Sequence, residues 1–141
     1  MLKGIPTLIS PDLLKVLAEM GHGDDLVIGD CNFPAASMGK RCVREDGHNN
    51  TELLDAILRL FPLDTFVEAP VTLMQVVPGS MPGDPPIWGD YRRIVDEHQP
   101  NVKIDQLERF AFYERAKNAY ATVATGERAL YGGIILKKGV L

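Results

Sequence analysis

Glu19-Met20-Gly21-His22-Gly23-Asp24-Asp25-Leu26-Val27-Ile28-Gly29-Asp30 is the stretch on which the fold turns. Leading into it, Leu13, Leu14, Leu17 and Met20 recur at helical spacing. Ser10 is a good N-cap for that helix, and the fixed φ of Pro11 suits its first position. Gly21 stops the helix, and Leu26 to Ile28 form a short apolar run of the kind buried in a sheet. A helix that passes through a tight turn into a buried strand is the unit from which α/β proteins are built. Gly21 and Gly23 let the backbone turn sharply around His22 and let a ligand come close. They do not form a phosphate loop, because no Gly-Lys-Ser/Thr follows and the order is helix to strand.

The alternation continues downstream. Arg41 to Arg44 predicts a strand after turn material around Pro34 and Gly39, and Asn50 or Thr51 opens a second helix. Leu53, Leu54, Ile57, Leu58 and Phe61 repeat along that helix until Pro62 ends it. Val71 to Val77 is the clearest strand by β-branched content, Pro78 to Pro86 is a loop, and Ile87 to His98 is helical. Phe110 to Asn118 predicts a helix, Tyr120 to Thr125 a strand, Gly126 to Gly133 a turn-rich loop and Ile134 to Lys137 a last strand. Strands separated by helices predict one α/β domain over residues 1–141 with a mostly parallel sheet. Ligands of such sheets gather at the carboxyl ends of strands, where Asp30 and the loop after Thr125 stand.

Composition excludes several classes. Hydrophobic residues make up 45% and charged residues 24% of 141, which is ordinary for a folded domain. A net charge of −4 without a dense Lys/Arg cluster argues against a nucleic-acid partner. Cys31 and Cys42 make neither a disulfide framework nor a CxxC zinc site, and the three histidines are scattered, so no metal is expected. Pro6, Ser10 and Pro11 interrupt any apolar core a signal peptide would need after Lys3, and no apolar run approaches membrane-spanning length. A soluble, cytoplasmic protein is expected.

Each candidate site residue has a plainer reading beside the chemical one. His22 is suited to passing protons near neutral pH, yet an imidazole just past a helix can simply bond the last carbonyls. Asp24 and Asp25 stand in a turn that solvates them. Asp30 is a carboxylate at a strand end, or the head of an Asx turn. Arg109 offers a donor fork for hydroxyls, or a surface charge, and Phe110 and Tyr113 share a helix face suited to core or interface. Tyr131-Gly132-Gly133 sets a phenol beside exposed backbone, good for gripping a polyol, and equally a tight turn before the last strand. His48 and His98 receive no role, and nothing marks Cys31 as an activated nucleophile.

Three stretches together carry a family likeness: Leu13 to Asp24, Arg109 to Ala116, and Thr125 to Gly132 with its continuation Leu136 to Val140. In this order and spacing they resemble the L-fucose mutarotase family, in the superfamily that also holds ribose pyranase. The resemblance implies a three-layer α/β/α sandwich and ring-shaped homo-oligomers, often decamers, with sites between neighbouring subunits. It also implies an isomerase that interconverts the α and β anomers of a free monosaccharide, L-fucose or a related aldose, with no cofactor. His22 matches the family's proton donor, Asp30 a sugar-binding carboxylate, Arg109 a sugar-binding arginine, and Tyr131, Gly132 and Gly133 the tyrosine-led binding turn. The chain departs from the pattern at Gly133, where asparagine is common, and at Cys31, where alanine commonly follows the aspartate. Asp24, two residues past His22, is placed by spacing to hold the imidazole's other nitrogen. Pyranose–furanose interconversion of the ribose pyranase kind and monosaccharide binding without catalysis are the competing expectations.

Overall fold

The computed structural model describes all 141 residues, Met1 to Leu141. Its elements run α1 (Pro11–Glu19), β1 (Asp25–Ile28), α2 (Ala35–Met38), β2 (Cys42–Glu45), α3 (Asn50–Leu58), β3 (Val71–Met74), α4 (Pro86–His98), β4 (Ile104–Leu107), α5 (Arg109–Asn118), β5 (Ala121–Thr125) and β6 (Ile134–Lys137). Ser10 caps α1 as expected, its Oγ accepting the Leu13 N–H at 3.1 Å. Asn49 caps α3 in a reciprocal box with Glu52, and the helix opens at Asn50 as expected.

The six strands form one sheet in the order β2-β5-β1-β6-β3-β4. Only β6 runs against its neighbours, pairing antiparallel with β1 and with β3, so the sheet is mostly parallel with a reversed strand near its centre. Alternation along the central strands fills both faces. Leu26, Ile28, Ile134 and Leu136 join Leu13, Leu17, Ile57 and Tyr91 of α1, α3 and α4 in the larger core. Val27 and Ile135 point the other way, onto Phe112 and Ala116 of α5. Helices thus cover both faces in three layers, as the α/β/α expectation required.

Three details differ from expectation. The strand β4 and the short α2 are additional elements: Ile104-Asp105-Gln106-Leu107 is an edge strand with exposed polar residues at its centre, so it lacks an apolar signature. The strand β3 ends at Met74, three residues early, and the chain beyond it turns away from the sheet. On α5 the buried aromatic is Phe112, while Phe110 is 67% exposed and Tyr113 half-buried. The helix sits flat on β1 and β3, which selects Phe112 and Ala116 instead of the face shared by Phe110 and Tyr113.

Candidate functional site

All parallel strands point their carboxyl ends to one side, and the reversed β6 begins there. That geometry gathers Asp30 after β1, Met74 and Val77 at and beyond the end of β3, Arg109 after β4, and Tyr131 and Gly133 before β6. Together with Phe33, Tyr113 and Leu130 they line a cleft of about 250 Å³. Its lining mixes the polar side chains of Asp30, Asn32, Ser80 and Arg109 with the apolar ones of Phe33, Met74, Val77 and Leu130.

Asp30 heads an Asx turn, its Oδ1 accepting the Asn32 N–H at 2.9 Å. Burial lifts its carboxyl above the ordinary aspartate range. N–H groups of Asn32, Gly132 and Phe33 pull it back, and the charge of Glu127 adds to the rise. Arg109, the first residue of α5, lays its guanidinium 5.4 Å from the Tyr113 ring centre and 5.5 Å from that of Phe110.

The Tyr131 turn is held from several sides. Tyr131 has φ +56°, a left-handed conformation uncommon for a bulky residue. Its hydroxyl lies 2.6 Å from Ser80 Oγ and accepts the Val77 N–H at 3.2 Å, and its carbonyl accepts the Trp88 indole N–H at 3.1 Å. Asn50 Nδ2 donates to the Gly132 carbonyl at 2.8 Å, as does the buried Tyr91 hydroxyl. A Cβ on Gly132 would stand 3.0 Å from the Ala129 carbonyl and 3.3 Å from Asp30 Cβ, so a side chain there would make its neighbours give by a few tenths of an ångström. Asn50, Tyr91, Trp88 and Ser80 were not singled out by sequence reasoning. Asn50 is a fully buried asparagine, a signal visible only once the fold is known.

His22 stands at the opposite end of the sheet. It precedes β1 and Asp30 follows it, so the strand's four residues, at about 3.3 Å each, separate them within one copy of the chain. His22 Nε2 lies 3.1 Å from Asp64 Oδ1, its ring centre is 5.4 Å from that of Phe66, and its side chain is 46% exposed. It does not bond the last carbonyls of α1: Lys138 Nζ donates to Leu17 and Met20 O at 2.8 and 2.6 Å. The expected orienting role of Asp24 is corrected here. Asp24 Oδ2 accepts the Gly21 N–H at 2.7 Å and closes its own turn, while Asp64, from the segment after α3, meets the imidazole. A contact 42 residues away along the chain leaves no trace in local spacing.

The model of the RbsD / FucU transport protein family matches residues 3–141. The chain belongs to this family. Fucose mutarotase of Homo sapiens is 50% identical, the alignment covering 99% of this chain and 94% of that protein. L-fucose mutarotase of Histophilus somni (strain 2336) is 53% identical over 99% and 97% of the two chains. A crystal structure of the fucose mutarotase from Streptococcus pneumoniae in complex with L-fucose superposes with a TM-score of 0.95 at 54% identity, covering 99% of each chain. In this RbsD / FucU family member no helix is long and apolar enough to cross a membrane.

Proposed function

We propose that this protein is an L-fucose mutarotase. The observation that carries the reading is its full-length likeness, at 54% identity, to a structure that holds L-fucose. The cleft of Asp30, Arg109 and Tyr131 supports it, offering a charged acceptor and donors for hydroxyls alongside the apolar side chains of Phe33, Met74, Val77 and Leu130. Asp30 and Arg109 bind the sugar hydroxyls, and Tyr131, Gly132 and Gly133 form the turn beneath the ring.

His22 delivers a proton to the ring oxygen while the anomeric hydroxyl gives up its own to water. The bond from C1 to the ring oxygen breaks, leaving the open aldehyde. Rotation about the C1–C2 bond and reclosure give the other anomer, with the proton returned to the imidazole. Because one copy keeps His22 and Asp30 at opposite ends of β1, the working site joins His22 of one copy to the Asp30 cleft of a neighbour in a ring-shaped homo-oligomer.

Saturation-exchange NMR between the two anomeric protons of L-fucose tests the reaction. The protein accelerates exchange, and His22→Ala lowers the rate by about 10²-fold or more. Unchanged exchange in His22→Ala removes the assigned role. Fucose binding with no exchange above buffer identifies a binding protein instead.

A further inference from the structure

We propose that Asp64, together with Phe66, is a positioning residue that holds the Nε2–H of His22, so that Nδ1 is the nitrogen that exchanges the proton with the sugar. The inference rests on the reaction assigned above.

Asp64 is 3% exposed, whereas the imidazole it meets is 46% exposed. The Nε2 edge therefore faces inward, and Nδ1 is the nitrogen left for a ligand. Asp64 sits in a rigid frame. Its N–H donates to Lys137 O at 3.0 Å, and Leu63 bridges to Lys138. The Gln99 side chain holds both the N–H and the carbonyl of Leu63 at 3.1 Å. The same Asp64 oxygen that meets His22 accepts the Phe66 N–H at 2.9 Å, and the Phe66 ring packs against the imidazole at a 53° tilt.

That backbone N–H is the leading influence holding the Asp64 carboxyl below the ordinary aspartate range, with His22 and Lys137 adding to it. An ionised carboxylate only accepts hydrogen bonds, so the nitrogen facing it carries hydrogen in both the neutral and the charged imidazole. His22 then gains and loses its proton at Nδ1 alone. The sugar oxygen takes it on ring opening and returns it on closure, while Asp64 keeps its charge throughout. The imidazole itself meets Asp64, while Asp24 closes the turn that carries it and Lys137 acts on Asp64.

Two measurements test the assignment on the intact protein. ¹⁵N NMR of the neutral imidazole without sugar is expected to show the Nε2–H tautomer of His22; an Nδ1–H tautomer overturns the proposal. Asp64→Asn is expected to mix the tautomers, and to slow anomer exchange at saturating L-fucose by about 10–10²-fold with sugar affinity held within about twofold. Exchange at the parent's rate, with the tautomer unchanged, overturns it. The tautomer is read without substrate and without a variant, so it stands apart from the reaction itself, which the His22→Ala comparison decides.

Discussion

Asp30 is a residue that its proposed role in sugar binding and the stability of the fold pull in opposite directions. Burial raises its carboxyl above the usual aspartate range, so the folded chain holds that proton more firmly than the unfolded one. Its ionisation costs stability as pH climbs past the unfolded value, and the cost is complete above the folded one. Asp30→Asn is therefore expected to melt higher than the parent at pH 8 and at about the same temperature near pH 3, by thermal unfolding without sugar. The same variant is expected to lose L-fucose binding, as isothermal titration would show. Tyr131 is a second such residue, kept in a left-handed conformation by three partners. Asp30, Arg109 and Tyr131 were visible in the sequence because each stands beside a helix or strand boundary. Asp64 was not, since nothing local distinguishes it.

Among the elements, α5 does the most with the least. Its buried contribution is essentially Phe112 and Ala116, and Phe112 meets Phe33 edge-on at 6.1 Å between ring centres. A Cβ on Gly133 would stand 3.4 Å from Phe112 Cζ, so this ring also lies under the turn of Tyr131, Gly132 and Gly133. Phe112→Ala is expected to cost about 3–5 kcal/mol in denaturant unfolding and to weaken sugar binding in the fraction that remains folded. The contact between α3 and α4 includes His98 Nε2 at 2.7 Å from Asp55 Oδ1, a histidine the sequence left without a role. His98, then Arg59, holds the Asp55 carboxyl below the ordinary range despite partial desolvation. The tie contributes fully above the unfolded aspartate value, about 3.9, and is lost as pH falls through the folded one. His98→Ala is expected to lower the melting temperature at pH 6 and to have little effect at pH 2.5.

At the scale of the whole molecule, exposed apolar side chains flank both halves of the proposed site. Phe66 is 74% exposed beside His22, and Phe110, Leu130 and Val77 are 67%, 58% and 43% exposed around the cleft. A neighbouring copy that brings His22 to the cleft would cover both groups. Neither His22→Ala nor Asp30→Asn chains are expected to work alone. When the two are co-refolded as a mixture, about a quarter of sites should combine an intact His22 with an intact Asp30, and exchange should return in that proportion. Activity that stays absent in mixed assemblies of confirmed size would place the whole site within one copy. Phe66→Asp is expected to give smaller species by light scattering, because it puts a charge on the surface a neighbour covers.

The sequence by itself determined the helix and strand order along most of the chain, because capping, periodicity and breakers are local and survive in one dimension. It also supplied the chemistry-bearing residues at the ends of β1 and in the turn before β6. The tertiary structure alone decided which aromatic of α5 is buried, that β6 runs against its neighbours, and that β4 pairs at an edge. It alone brought Asp64 to the imidazole and set His22 and Asp30 at opposite ends of a strand. These outcomes depend on contacts between residues far apart in the chain, whose partners are chosen by packing and not by sequence spacing.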